Sequence, residues 1–430
     1  MKIAFLLHNG YAIGGTVRVT LNLAGALAER HDVEIVSMMR HREKPRFVTP
    51  PGVRLVPLVD MREDGPDAAL PEFSEPARDF PVEDTRHHQY SRLVDLRVRE
   101  YLKGCTADIV IGTRPGINVY LARFGPPGAL RIAQEHLRHD AHEKPLRGVL
   151  ARHYRTLDAL VTITEADAAT YQAKMRLPGV PVIAVPNIVP ATDVTPSDGS
   201  AKVIAAAGRL AKGKRFDLLL DAFRQVSDKQ PDWRLRIYGG GAQQERLQRQ
   251  IDRLELAGRA TLMGPHSPIE PEFAKASLLV SASDAESFGM TLVEAMRCGV
   301  PVVSTDCPLG PAEIIRDGVN GRLVPMGDAR ALAEAMLALI DDESGRREMA
   351  AAALESARRY DPGPIVDRYE LLFDDLGASR GRRNWQRTRA RYVASLMRRR
   401  RALIRRVRRW RAARWLRDLL RGPSPARSRA

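Results

Sequence analysis

Two carboxylates eight positions apart give the most specific chemical signal in the chain. They lie in Ser283-Asp284-Ala285-Glu286-Ser287-Phe288-Gly289-Met290-Thr291-Leu292-Val293-Glu294-Ala295-Met296. Glu286 falls on a loop, and Glu294 falls inside the helix that Gly289 opens. Charged acceptors on both sides of a helix start suit a polyol, because a carboxylate binds hydroxyls more strongly than a neutral acceptor does. The first amides of that helix, at Gly289, Met290 and Thr291, suit a phosphate. Two unrelated surface acids would be the plain reading. The strand–loop–helix context speaks against it.

Four more segments carry chemistry of lesser specificity. In Gly208-Arg209-Leu210-Ala211-Lys212-Gly213-Lys214, Arg209 and Lys214 stand between a strand and a helix, where they can converge on a diphosphate. Arg would bind it as a fork and Lys as a point charge. No GxxxxGK[ST] pattern is present, so this is not a P-loop. Tyr238-Gly239-Gly240-Gly241 follows another strand; with Gly240 at its centre it is either a ligand approach or a turn. His8-Asn9-Gly10-Tyr11-Ala12-Ile13-Gly14-Gly15-Thr16 follows the first strand and opens a helix, so Gly15 can bring backbone N–H groups to an anion. It is not the GxGxxG dinucleotide fingerprint. Finally, Ile132-Ala133-Gln134-Glu135-His136-Leu137-Arg138-His139 puts His136 at a strand end facing a cleft. A lone His is more often structural, and the spacing of Glu135, His136 and His139 makes a poor metal set, so no metal is expected.

Elements that could position these residues follow from the hydrophobic pattern. Strands are expected at Lys2–Leu7, Val33–Ser37, Asp108–Gly112 and Ala159–Thr164, with a helix at Thr16–Glu29. Asp60–Asp84, rich in Pro and acids, reads as a long exposed loop. A Pro/Thr/Asp/Gly/Ser linker spans Val189–Ser200. Alternation then restarts, with strands at Lys202–Ala207, Arg234–Tyr238, Ala260–Leu262, Leu278–Ser281 and Pro301–Ser304, and helices at Phe216–Val226, Gln243–Leu254 and Met290–Cys298. Strand–helix alternation means parallel strands with crossover helices. The expected class is α/β, with two doubly wound domains facing a cleft and ligands at the carboxyl ends of the strands.

Charge narrows the partners. The 430 residues carry a net +16. Residues 380–430 hold 20 Arg, no Lys and one acid, Asp418, a net +19, so the rest of the chain stands at −3. That excludes a basic nucleic-acid groove through the body. Within the tail, Tyr392, Val393, Leu396, Leu403, Ile404, Val407 and Trp410 fall on one helical face among arginines. Residues 392–420 therefore read as a basic amphipathic segment for an anionic membrane surface. A disordered or RNA-binding tail is the competing reading. The three cysteines, Cys105, Cys298 and Cys307, form no CxxC pair. No signal peptide or membrane span is read, so a cytoplasmic protein, peripheral on the inner membrane face, is expected.

Taken in order, these segments resemble the family-4 retaining glycosyltransferases, which have the GT-B fold. The resemblance covers roughly residues 1–376 and is strongest over Val203–Pro325. ESFGMTLVEAMRCGVPVVSTD is similar to that family's E-x7-E signature and the strand after it. GRLAKGKRFDLLLDAF is similar to its phosphate-binding segment, except that Arg215 follows the Lys where Gly is usual; GPAEIIRDGVNGRLVP also fits. The resemblance implies a nucleoside-diphosphate sugar as donor and no cofactor or metal. Arg209, Lys214, Gly15 and the amides of Gly289, Met290 and Thr291 would hold the diphosphate. Gly240 and Phe288 would lie in the donor site, Glu286 on the donor sugar and Glu294 on the ribose. His136 would stand near the anomeric carbon, and Asp361–Leu376 would cross back to the first domain. Domains at 1–188 and 201–360 and a tail at 380–430 follow. The acceptor, a glycan, polyol-phosphate or lipid-linked hydroxyl of the cell envelope, would meet Thr113, Arg114 and His136. A GT-B nucleotide-sugar epimerase or hydrolase is the alternative.

Overall fold

A computed structural model describes residues 1–389. The amphipathic face expected over 392–420 lies outside the described residues. The chain divides into a compact unit at Met1–Gly377, which contains two parallel sheets, and a second unit at Ala378–Ala430, in which residues 380–389 are helical.

The first sheet is built from β1 (Lys2–Leu7), β2 (Asp32–Ser37), β3 (Val53–Pro57), β4 (Ile109–Gly112), β5 (Leu130–Gln134), β6 (Ala159–Thr162) and β7 (Val182–Ala184), in the order β3-β2-β1-β4-β5-β6-β7. The second contains β8 (Val203–Ala207), β9 (Arg234–Tyr238), β10 (Ala260–Gly264), β11 (Leu278–Ser281), β12 (Val302–Thr305) and β13 (Gly321–Val324), in the order β10-β9-β8-β11-β12-β13. Both repeat the 3-2-1-4-5-6 order of doubly wound folds, so each has its switch point between its first and fourth strands. For the second sheet that point lies between β8 and β11, and for the first between β1 and β4.

Strand pairing is parallel throughout, and helices cover both faces. Strands such as β4 are buried at every position and read as apolar runs without alternation. The two faces still separate by period two. Ile3, Phe5 and Leu7 pack with the helix Gly15–Ala28, whereas Ala4 and Leu6 pack with Phe80, Tyr90 and Tyr120. The helix Pro362–Ala378 returns to the first core, burying Ile365, Val366, Tyr369 and Phe373 among Val17, Leu21 and Leu27. Tyr369 also receives a hydrogen bond from Gln134 at 2.8 Å.

Two expectations need revision. Asp60–Asp84 is not a loose exposed loop. Phe80 is buried and stacks on Tyr90 at 3.6 Å between centroids, and Asp79 pairs with Arg92, Arg99 and Arg123. One aromatic and a few carboxylates with distant partners fold a segment that has no periodicity of its own. The 189–200 linker has no strand or helix, yet it is held: Val189 N–H bonds Tyr360 O at 3.0 Å and Ser197 N–H bonds Cys298 O at 2.8 Å.

Where β8 and β9 end, backbones touch. Gly239 has φ 141°, and a Cβ there would sit 1.9 Å from the Gly208 carbonyl oxygen. Gly239→Ala is expected to cost about 2–4 kcal/mol of stability. Urea unfolding measures it, and a loss below about 1 kcal/mol would mean that these loops yield freely.

Candidate active site

The loops at the carboxyl ends of β8 and β11 hold the second domain's chemistry. After β8 the chain turns through Gly208 and Arg209 to a single 3-10 turn, Lys212–Lys214. Arg215 then adopts left-handed backbone, φ 49° and ψ 40°, before the helix Phe216–Lys229 begins. A family glycine would take that conformation without strain. Here Arg215 takes it, and its guanidinium is held by Asp284 at 3.0 Å and Asp217 at 3.2 Å. Lys214 Nζ reaches across to Glu286 Oε1 at 2.5 Å, and Ser283 Oγ donates to the same oxygen at 2.7 Å. An ammonium has three donors, so Lys214 keeps two for a ligand. Arg209 is exposed, and its guanidinium has no hydrogen-bonded or ion-paired partner among the described residues.

Behind Glu286, Gly289 at φ 106° starts the helix Met290–Arg297, whose first turn leaves Met290 and Thr291 half-exposed. Phe288, expected in the donor site, follows on the same loop. It is buried, edge-on to Tyr360, and beneath it Gly310 packs so closely that a Cβ would meet the Phe288 carbonyl oxygen at 1.7 Å. A Cβ at Gly240 would meet Pro265 Cδ at an ordinary 3.9 Å, whereas Gly239 and Gly241 are the glycines that backbone contact demands. The triplet's first task is to seat the Arg209 loop: Gly208 N–H bonds Tyr238 O and Leu210 N–H bonds Gly240 O, each at 2.9 Å.

Glu294 is 4% exposed and ion-paired with Arg18 of the first domain at 3.1 Å. Arg18 also bonds Glu270 at 2.6 Å. Burial, together with the Glu270 charge, raises the Glu294 carboxyl to about 7 against the pull of Arg18. Arg18 and Glu270 escaped the sequence reading. The available signal was a cation one turn into the helix that Gly15 opens. Gly15 itself begins that helix with open space around its Cβ position.

The first domain contributes the opposite wall. Thr113 is buried, its hydroxyl donating to Leu6 O at 2.9 Å, so β1 takes the group expected to meet an acceptor. Arg114 stays available in part, with Asp84 at 3.4 Å. His8 accompanies it, Nδ1 lying 2.8 Å from Tyr90 Oη and Nε2 lying 3.3 Å from Arg86 Nη1. Arg can only donate, so Nε2 accepts and the ring proton sits on Nδ1. Burial, then Arg114 and Arg86, lowers His8 to about 3. His136 follows β5; its Nε2 is buried with no hydrogen-bond partner among the described residues, and burial lowers the ring to about 4, so it is neutral at pH 7. Its neighbour Glu135, 1% exposed, accepts from Asn118 at 3.1 Å and from Tyr154, and lies 3.5 Å from His142. Among the described residues no His, Cys, Asp and Glu cluster is arranged to hold a metal ion.

Two doubly wound parallel domains with facing switch points define the GT-B fold. Residues 191–356 match the family model described as Glycosyl transferases group 1. The chain has the GT-B fold, and its residues 191–356 are similar to group 1 glycosyltransferases. It is 33% identical over 401 residues to an exopolysaccharide phosphotransferase of Streptomyces coelicolor, an alignment that takes in 88% of this chain and 41% of that protein. It is 27% identical to a phosphatidyl-myo-inositol mannosyltransferase of Mycobacterium leprae, across 82% of this chain and 93% of that one. The solved structure of S. aureus TarM in complex with fondaparinux, alpha-GlcNAc-glycerol and UDP shares the fold, with a TM-score of 0.70 at 16% identity over 86% of this chain and 99% of that chain.

The raised Glu294 carboxyl makes stability depend on pH. Its folded value of about 7 exceeds the ordinary 4.5, so the native state binds the extra proton in between. Stability then falls as pH rises from 4.5 through 7 and levels off above it. Glu294→Gln removes that slope. Between pH 5 and pH 8 its stability relative to wild type should improve by about 2–3 kcal/mol. Parallel denaturation curves at both pH values check this; equal slopes would place the titration elsewhere.

Proposed function

We propose that this protein is a retaining, metal-independent glycosyltransferase that moves a sugar from a nucleoside-diphosphate sugar to a hydroxyl acceptor. One observation carries the reading: at the β8/β11 switch point Arg209, without a partner among the described residues, and Lys214, held by Glu286, flank the loop that leads into the helix Met290–Arg297. As the glycosidic bond breaks, negative charge develops on the departing diphosphate. Lys214, held by Glu286, and the Gly289–Thr291 amides are fixed beforehand to meet it, Arg209 adds a second cation, and charge stabilisation of that kind is usually the largest rate effect in a site. Glu286, whose Oε1 already takes Lys214 and Ser283, holds sugar hydroxyls through its remaining lone pairs and is not cast as a nucleophile. The acceptor hydroxyl attacks from the face the leaving group vacates, giving retention. Gly15, Gly240 and Glu294 complete the donor site, Glu294 once Arg18 yields it to the ribose. His136, neutral beside the sugar, lines the acceptor side with Arg114. The mannosyltransferase relative and the TarM ligands favour this reading over a nucleotide-sugar epimerase or hydrolase.

Arg209→Ala and Lys214→Ala should each lower transfer by about two orders of magnitude or more. The assay is a panel of UDP-, GDP- and ADP-sugars scored for thermal shift and turnover; near-normal turnover in both variants would sink the diphosphate assignment. With the donor in hand, NMR of the product should give the donor's anomeric configuration, and EDTA should leave the rate unchanged. The acceptor class we favour is an envelope glycan, polyol-phosphate or lipid-linked glycan. The +19 carried by residues 380–430 supports docking on an anionic inner-membrane surface, at ~1 kcal/mol per basic residue near it. Among the described residues no helix is long and apolar enough to cross a membrane. Full-length protein should float with anionic vesicles and a chain ending at residue 379 should not; unbound full-length protein would end the membrane reading.

A further inference from the structure

Resting on the transferase reading, we infer that Arg86 and Arg114 form an anion subsite on the first domain, which receives a phosphate group of the acceptor. Both residues come from the segments beside the β1/β4 switch point. Arg114 precedes the helix Pro115–Phe124, and Arg86 lies in the stretch that links β3 to the helix Arg92–Gly104. The local charge is unbalanced. Asp84 is the one carboxylate within ion-pairing distance of either guanidinium among the described residues, 3.4 Å from Arg114. It is already engaged by backbone, accepting from Arg86 N–H at 2.9 Å and Gly116 N–H at 3.2 Å. Arg114 Nε is buried with no hydrogen-bond partner among the described residues. A buried donor without an acceptor is costly, and a ligand oxygen would satisfy it.

Neighbouring groups add to the imbalance. Arg86 Nη1 has a neutral acceptor, His8 Nε2 at 3.3 Å, and an amide oxygen, Gln89 Oε1 at 3.2 Å. His8, held neutral, brings no negative charge to offset the two guanidiniums. Burial first, then the charge of Arg114 and, across the cleft, that of Arg209, lowers Arg86. The charges of Arg114 and Arg209 thus both reach Arg86. Arg209 belongs with Lys214 to the donor diphosphate, and the pair on the first domain faces it from the acceptor side. Planar forks suit phosphate oxygens bidentately. A phosphorylated acceptor bound there would be anchored beside the hydroxyl to be glycosylated.

The test is calorimetric titration of full-length protein with inorganic phosphate, alone and in the presence of saturating UDP, GDP or ADP. The wild type should bind phosphate with the nucleotide already in place. Arg86→Gln should weaken that binding roughly tenfold or more while leaving nucleotide affinity within about twofold. Arg86→Lys should restore much of it. Arg86 is exposed, so the variants should fold, and their Tm is read alongside. Arg114→Gln gives the second arm, and Arg209→Ala should show the reverse split. Equal phosphate binding by wild type and Arg86→Gln would overturn the subsite, because the arginine-rich tail is common to both. A parallel loss of nucleotide affinity would also overturn it, assigning the arginines to the donor diphosphate. If none of the three nucleotides binds, the transferase reading fails on its own, and the nucleotide-free titrations still decide the subsite.

Discussion

The contact between Lys214 and Glu286, 2.5 Å long, joins the two loops on either side of the second domain's switch point. Much of the local structure serves it. Lys214 is delivered by a 3-10 turn that must end in left-handed backbone, and Arg215 supplies that turn against an unfavourable conformation of about 1–2 kcal/mol. Its two carboxylate partners, Asp284 and Asp217, offset the strain and tie the turn to the loop bearing Glu286. On the other side, Ser283 donates to Glu286 while its carbonyl accepts from Thr305 at 2.6 Å. A lysine free to swing would present its charge in many places. This one presents it in one, with donors to spare.

A second contact governs how the domains meet. Glu294 lies inside a helix of the second domain, yet its charge is answered by Arg18 of the first. The same interface has Glu313 accepting from the N–H groups of Glu165 and Ala166, at the start of the helix Glu165–Lys174, at 3.0 and 2.8 Å. A carboxylate at a helix N-terminus is stabilised by the exposed donors there. Both contacts place acids of the second domain on cations or amides of the first. If Glu294 is to hold a ribose, Arg18 must let go or share it. Glu270, at 2.6 Å from Arg18, is the partner that would keep Arg18 from being left alone.

What the sequence disclosed and what it concealed divide along physical lines. The parallel strands were legible because burial on both faces turns them into apolar runs. The order of the strands was not, since order is set by crossovers that leave no local trace. Arg209, Lys214, Glu286 and Glu294 stood out because their spacing sits on strand–loop–helix junctions. Thr113, expected on the acceptor side, has its hydroxyl tied to Leu6, a partner far away in the chain that sequence does not reveal. Phe288, inside the Glu286–Glu294 signature, packs its ring edge-on against Tyr360, a contact that no local pattern announces. The glycine triplet read as room for a ligand or a turn, with no sign in its sequence that at Gly239 and Gly241 neighbouring backbone leaves no room for a side chain. Arg18 and Arg86 were silent, because each acquires its meaning from residues far away in the chain.

Charge behaves in the same way. A body at net −3 gives no hint of an anion-binding cleft. Yet Arg86, Arg114, Arg209 and Lys214 come from segments far apart in the chain. Among the described residues, the carboxylates that ion-pair with them are Asp84 and Glu286. The fold separates charge: acids such as Asp79 and Asp60 are matched by arginines away from the cleft, while cations at the switch points are left under-compensated. Net charge sums over both groups and cancels the signal. The quantity that decides which ligand enters is the local imbalance where strand ends converge, and there four cations meet two ion-paired carboxylates among the described residues.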